Sequence, residues 1–255
     1  MFRITSVALL YVVLGCALPQ ARAAIVFENF NVNEGRFGQP PTFSGSNANI
    51  AATSTADRVT SPNPLREGAG SERLVLNVTT AAASSRVRFV ANSGGPGGSN
   101  PTFTLSAGVD GWIGFYLLSP VTNLATWTAT IALDGPTAVT AEMTQGVPIT
   151  IVNDGAWRLY EWNLDAPASW QTVTSIGGNA TLENGAASID SIILRSTAGQ
   201  NSTFFMDFVA KSDSGSVAGL LTVVPEPTSL LTLALAAPVS ILLSRRRRKK
   251  LATQI

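Results

Sequence analysis

The chain of 255 residues contains no histidine and a single cysteine, Cys16, close to the N-terminus. Beyond Cys16, these absences exclude Ser-His-Asp and Cys-His nucleophile systems, histidine-based acid/base catalysis, and His/Cys sites for zinc or copper. They also exclude a disulfide, so a domain there must be stabilised by its hydrophobic core. We therefore predict a protein that is not an enzyme, without catalytic residues, a metal site or a cofactor.

Charged residues are also scarce, at 13% of the chain. Between residues 24 and 224 there are nine basic and fifteen acidic side chains, which gives this body a net charge of −6. A nucleic-acid partner needs a basic face for its phosphates. The composition therefore predicts no nucleic-acid partner.

The first 24 residues have the pattern of a secretory signal peptide. Arg3 precedes an apolar stretch over 7–18, and Ala21-Arg22-Ala23 provides the small residues of a cleavage site. Two alternatives remain: a retained N-terminal helix, or lipidation of Cys16, which ends a sequence similar to a loose bacterial lipobox.

The C-terminal region combines an uncharged apolar run with a basic tail. Residues 228–244 would make a helix of roughly 25 Å, close to the thickness of a bilayer core, so we predict a transmembrane span. The positive-inside rule keeps the tail in the cytoplasm and the body on the far side. A nuclear or nucleic-acid role for the tail conflicts with the export signal. The tail consists of Arg245, Arg246, Arg247, Arg248, Lys249 and Lys250.

A Pro225-Glu226-Pro227 triplet directly precedes the apolar run. Its prolines hold the backbone extended, as suits a peptide in the groove of a processing enzyme. Triplet, span and terminal basic tail together resemble the PEP-CTERM sorting signal, although residues 251–255 extend further than is usual. The resemblance implies that an exosortase cuts at the triplet. The protein would be anchored in the cytoplasmic membrane before processing, and would then pass to the cell surface or to an extracellular exopolysaccharide matrix.

The body between these ends has the pattern of an all-β domain. Short runs rich in β-branched and aromatic residues alternate with Gly, Pro, Asn and Asp clusters, and no long apolar helical stripe is present. We predict an antiparallel two-sheet jelly-roll sandwich over 25–211, a linker over 212–223 and the sorting signal over 224–250. We expect Phe204, Met206 and Phe208 to share the core face of the last strand. The predicted strands cover 25–30, 73–79, 86–91, 112–118, 126–133, 149–152, 157–164, 189–195 and 203–210.

The second half of this body resembles galactose-binding-like and carbohydrate-binding jelly rolls. The segments "WRLYEWNLDAPASWQ", "IDSIILRS" and "STFFMDFVA" carry the resemblance through a Trp-rich strand and a late strand that bears an aspartate. It implies a sandwich that contacts glycans, with exopolysaccharide as a partner.

Three tryptophans are candidate glycan contacts. Trp157 and Trp162 are separated by an odd number of positions, so on a strand they point to opposite faces. Trp170 follows Pro167 in sequence typical of a loop, and of the three its indole is the best candidate for exposure. Burial in the core is the competing interpretation for each of them.

Other roles remain open. Paired carboxylates among Glu161, Asp165, Asp190 and Asp207 would suit glycoside cleavage, and loop carboxylates would suit a structural Ca²⁺, although no calcium motif is present. Our leading hypothesis is an exosortase-sorted surface or matrix protein with a structural or glycan-contacting sandwich. A permanently anchored ectodomain that binds carbohydrate or protein is the second hypothesis, and a polysaccharide-active enzyme is the third.

Overall fold

The computed structural model of the chain describes residues 24–62, 68–91, 102–106, 108, 110–135, 143–172 and 181–221. The predicted signal peptide with Cys16, the Pro225-Glu226-Pro227 triplet and the basic tail lie outside the described residues. Within those ranges, none of the helices is long and apolar enough to cross a membrane.

The described ranges are dominated by strands, with short 3-10 helices at Gly35–Phe37, Pro167–Ser169 and Val217–Leu221. The strands are β1 (Ala24–Glu28), β2 (Thr55–Val59), β3 (Ser71–Leu76), β4 (Ser85–Val90), β5 (Thr102–Leu105), β6 (Trp112–Leu118), β7 (Trp127–Asp134), β8 (Met143–Gly146), β9 (Ile149–Thr150), β10 (Trp157–Asn163), β11 (Trp170–Thr172), β12 (Gly185–Ser196) and β13 (Ser202–Ser212).

The strands form two antiparallel sheets. The first sheet has the order β10-β6-β13-β3-β2, with β1 paired to β13, and the second has the order β11-β8-β7-β12-β4, with β5 on β12 and β9 on β7. The chain passes back and forth between the sheets, as the jelly-roll prediction requires. The predicted all-β, antiparallel two-sheet architecture is confirmed.

One hydrophobic core fills the space between the sheets. Leu74 and Phe115 contribute to it from the first sheet, and Phe89 and Ile131 from the second. The fully buried indole of Trp127 (β7) meets the ring of Phe204 (β13) edge-on, with centroids 5.8 Å apart. A cysteine-free domain can be stabilised by a core of this kind.

The last strand changes face part-way along its length. Phe204 and Met206 lie in the core, as predicted, but the register against β6 shifts between Asp207 and Ala210, and Phe208 has a φ of +49°. This β-bulge inserts an extra residue, so Val209 takes the core position. The prediction for Phe208 is wrong, because the bulge turns its ring to the outer face of the first sheet.

That outer face is covered by the described end of the predicted linker. Val217 packs with Phe208 and Ala210 in a cluster to which Trp112, Tyr116 and Leu159 also contribute. Glu161 fixes the segment, because its Oε2 accepts hydrogen bonds from the backbone N–H of Val217 at 2.8 Å and from Ser216 Oγ at 3.0 Å. The chain therefore stays folded against the sheet as far as residue 221.

Candidate functional site

Trp157 and Trp162 lie on opposite faces of β10, as the alternation predicted. Trp162 is buried in the core and donates from Nε1 to the carbonyl of Val147 at 2.8 Å. A Cβ at Gly146 would lie 2.4 Å from that nitrogen, so the close packing of the indole requires glycine there. Trp157 is half-buried on the outer face of the first sheet. Of this pair, only Trp157 keeps an accessible surface.

Trp170 is buried, and its selection as the best candidate for exposure is wrong. The 3-10 turn Pro167–Ser169 returns the chain to the second sheet, where Trp170 begins β11 and pairs with Gly146. Its side chain is 5% exposed and its Nε1 donates to the carbonyl of Asn163 at 2.9 Å. An indole with this packing closes the core and has no free face on which a sugar could stack.

The four acids that were candidates for glycoside cleavage each have a separate structural partner. Glu161 holds Val217, and Asp165 accepts the backbone N–H groups of Asp110 and Gly111, each at 2.9 Å. Asp207 accepts the N–H of Phe208, and Asp190 pairs with Arg88. Among the described residues, no group of three or more His, Cys, Asp or Glu side chains could hold a metal ion.

The largest opening among the described pockets is a groove of about 610 Å³ on the second sheet. This lies within the range of about 300–1,000 Å³ typical of small-molecule sites. We call it the arginine groove. Its described lining consists of Arg86, Arg195, Ala48 and Pro148 with the hydroxyl-bearing residues Ser84, Ser85, Thr126, Thr128, Ser196 and Thr197.

Strand alternation places both arginines on the outer face of the second sheet. Val87 and Leu194 point into the core, so the adjacent Arg86 and Arg195 point away from it. The register pairs Arg195 with Arg86 on one side and with Thr128 on the other. Directly opposite residues have Cβ atoms about 5 Å apart, so β4, β12 and β7 bring two guanidinium groups and a hydroxyl group together.

The two guanidinium groups make few hydrogen bonds to other described residues. Arg86 Nε donates to the carbonyl of Ser46 at 2.7 Å, and Arg195 Nη2 donates to Gln145 Oε1 at 3.2 Å. Arg195 Nε is buried without a hydrogen-bond partner. Burial, followed by the neighbouring charge of Arg86, lowers the pKa of Arg195. Even so, an arginine remains protonated at neutral pH, so the groove is cationic.

A third arginine on the same strand face is engaged differently. Arg88 binds Asp190 through two hydrogen bonds, one of them from Nε to Oδ2 at 2.8 Å. Asp190 is buried and also accepts from Ser191 Oγ at 2.5 Å. Arg88 therefore carries a compensated charge, whereas Arg86 and Arg195 form no ion pair within the part of the chain that the structure describes.

The sequence analysis missed this groove, although a signal for it is present. In "SRVRFV" the arginines alternate with core residues, which is the pattern of a strand with a cationic outer face. The partner Arg195 follows the apolar run of β12, 109 positions later. The proximity of the two follows only from the pairing of β4 with β12.

Comparison with known proteins finds solved structures whose overall structure is similar to that of this chain. No protein-family model and no curated protein matches the chain. The family 11 carbohydrate-binding module of the cellulase Lic26A-Cel5E of Clostridium thermocellum is 12% identical, with a TM-score of 0.41 over 77% of this chain and 98% of that one. A family 30 carbohydrate-binding module gives 10% identity and a TM-score of 0.44, over 76% and 89%. The xylan-binding domain CBM22-1 of Paenibacillus barcinonensis Xyn10C is 9% identical, with a TM-score of 0.34 over 77% of this chain and 99% of that one.

Proposed function

We propose that this chain is an exported surface or matrix protein whose sandwich binds glycans through the arginine groove and whose C-terminus is a sorting signal for an exosortase-type enzyme. The observation that carries the binding role is the groove itself. Two guanidinium groups without an acidic partner among the described residues stand there among hydroxyl side chains, on a body of net charge −6. Such clustered, convergent polar groups in a groove are typical of a ligand site.

The sorting role is supported by the order of the C-terminal segments. The segment Val217–Leu221 packs on the first sheet, and the Pro225-Glu226-Pro227 triplet follows shortly after it, directly before the apolar run over 228–244. A processing enzyme in the membrane would therefore act close to the folded body. We expect removal of the apolar tail at the triplet to release the sandwich with its groove intact.

The sandwich is assigned a binding role because its candidate catalytic acids have other partners. Glu161 and Asp165 accept backbone hydrogen bonds, and Asp190 is neutralised by Arg88. Glycoside hydrolysis needs two carboxyl groups that flank one bond at a separation of roughly 5 to 9.5 Å. These three acids instead stabilise loops and strands of the domain.

Intact-mass analysis of the surface form in the native host tests the sorting role. We expect a mature protein that lacks residues 228–255, and we expect Glu226→Ala to leave an uncut, membrane-bound precursor. Ser229→Ala, in the same tail but outside the triplet, is the matched control and should be cut normally. A surface form that retains Arg245 to Lys250 would instead support the permanently anchored ectodomain.

Affinity electrophoresis tests the binding role. The full-length chain, purified in mild detergent, is run through gels that contain either neutral or acidic polysaccharides. Retardation in any of them that disappears in the Arg86→Gln/Arg195→Gln double variant supports binding in the groove. Identical migration of wild type and double variant in every gel would contradict it.

A further inference from the structure

The arginine groove holds two adjacent positive charges that no described acid neutralises. The ion pairs among the described residues join Arg73 to Asp57, Arg88 to Asp190, Arg158 to Asp154 and Lys211 to Asp213. Arg86 and Arg195 are absent from these pairs, yet they face each other across β4 and β12. Like charges directly opposite each other destabilise a sheet, so a bound anion would relieve a repulsion built into the fold.

The geometry of the pair suits one kind of anion well. A guanidinium group presents several N–H donors in a planar fork that matches the two oxygens of a carboxylate. Ser46 and Gln145 accept one described hydrogen bond from Arg86 and from Arg195, respectively. Apart from the buried Arg195 Nε, the other donors of the pair have no hydrogen-bond partner among the described residues, and a carboxylate can bind both groups at once.

The remaining lining indicates what must surround that carboxylate. Thr126 and Thr197 are exposed and Thr128 is half-buried beside the arginines. Hydroxyl side chains both donate and accept, which matches the ring hydroxyls of a sugar. A carboxylate flanked by hydroxyl groups is the chemistry of a uronic acid. In a neutral glycan the hydroxyl groups would be matched but the two charges would not.

A phosphate polymer would match the charges but not the rest of the molecule. Nucleic acids bind through many phosphate contacts on an extended basic surface. Here the body carries fifteen acidic residues against nine basic ones. Sparse carboxylates along a sugar chain suit a local cationic groove on such a body better than a dense row of phosphates.

We infer that the groove binds an acidic polysaccharide, with the carboxylate of one uronate residue between Arg86 and Arg195 and the hydroxyl groups of that sugar against Thr126 and Thr128. The inference rests on the proposed glycan-binding function and specifies the class of glycan. It also explains why the fold keeps two unpaired arginines in register while the neighbouring Arg88 is neutralised.

The test measures binding of the full-length chain to two polymers with the same sugar backbone, polygalacturonate and its fully methyl-esterified form, in which the charged carboxylate is replaced by a neutral ester. We expect the ester to bind at least about tenfold more weakly, since it lacks the carboxylate. Arg86→Gln and Arg195→Gln should each weaken binding to polygalacturonate by about tenfold or more. Lysine at either position should give an intermediate loss, because it keeps the charge but not the fork.

Arg73→Gln is the matched control, because Arg73 lies on the first sheet and its ion pair with Asp57 is largely solvated. This variant should bind polygalacturonate as the wild type does. Thermal melts check that the groove variants remain folded, and removal of the like-charge contact should leave their midpoints unchanged or raise them. Loss of affinity without loss of stability is the expected signature of a ligand site.

Three results would overturn the inference. Equal affinity for polygalacturonate and its methyl ester would leave a neutral-glycan groove, with the proposed function intact. Single-stranded DNA bound as tightly as polygalacturonate, with the same loss in the arginine variants, would assign the groove to phosphate polymers. Failure to bind either polymer or any neutral glucan would contradict the glycan-binding function itself.

Discussion

The outer faces of the two sheets differ in chemistry and in how far they are covered. On the first sheet, Trp112, Tyr116 and Phe208 lie beneath the segment Val217–Leu221, which covers them with apolar side chains. On the second sheet, Ala132, Met143 and Ile193 form a small buried cluster, but beside it Arg86 and Arg195 line an open groove among hydroxyl groups. Both faces arise from the same strand alternation, so the pattern alone does not distinguish a face to be covered from a face that binds.

The sheets also differ in how they hold a buried carboxylate. Glu72 of β3 points into the molecule on the same side as Leu74. Both of its carboxylate oxygens are buried, and neither has a hydrogen-bond partner among the described residues. Burial raises the pKa of Glu72 to about 9, and the negative charges of Glu34, Asp57 and Glu28 contribute further. Asp190 of the second sheet is instead neutralised by Arg88.

The largest expected effect is the response of Glu72→Gln to pH. Because the pKa of Glu72 is about 9 in the folded state and 4.5 ordinarily, the wild type loses stability as the pH rises between these values. Glutamine cannot ionise, so this loss should disappear. As the pH rises from about 4.5 to 7, the free energy of unfolding of the variant should increase by the order of 3 kcal/mol relative to that of the wild type. Urea unfolding at several pH values measures it.

Asp190→Asn is the control on the second sheet, and its effect should have the opposite sign. Removing one partner of a buried ion pair leaves Arg88 without its counter-charge, so the free energy of unfolding should fall at neutral pH. If Glu72→Gln also lowered the free energy of unfolding at neutral pH, the carboxyl group of Glu72 would make a stabilising interaction that glutamine cannot replace. The contrast between the two carboxylates would then be wrong.

A smaller effect tests the covered face. Val217 is fully buried, and Val217→Asp would place a charge against Phe208 and Ala210. We expect the free energy of unfolding to fall by about 2 kcal/mol, close to the burial free energy of one valine side chain. The loss is limited to this value because the short segment can detach from the sheet. Limited proteolysis should then cut near 213–221. Ala218→Asp, at an exposed neighbouring position, should resist proteolysis as the wild type does.

Most strands of both sheets could be predicted from the sequence, because their residues favour strands in isolation. All nine predicted segments contain a strand, whereas four others were missed: Thr55–Val59, Thr102–Leu105, Met143–Gly146 and Trp170–Thr172. These are short, and two of them lie beside strong turn signals such as Gly98 or Pro167. Their extended structure depends on pairing with neighbouring strands, which local propensity does not show.

The site depends even more on tertiary structure. The aromatic residues suggested stacking platforms, but Trp162 and Trp170 are core residues with satisfied N–H groups. Arg86 and Arg195 become a pair only through the register of β4 with β12. A shift of one residue in that register would turn one of them into the core. Sequence spacing alone could therefore identify outward arginines but could not join them into one groove.

The smallest expected effect concerns Trp157, the half-buried member of the candidate tryptophans, on the outer face of the first sheet. If glycans bind on the second sheet, Trp157→Ala should cost about 1 kcal/mol of stability for a partly buried side chain and leave polysaccharide retention unchanged. Trp162→Ala, five residues along the same strand, should cost about 3 to 5 kcal/mol because it empties a core position. Affinity electrophoresis and thermal melts of both variants measure the two quantities. Retention lost in Trp157→Ala but kept in the Arg86→Gln/Arg195→Gln variant would move the glycan site to β10, and the covered sheet would then be the binding one.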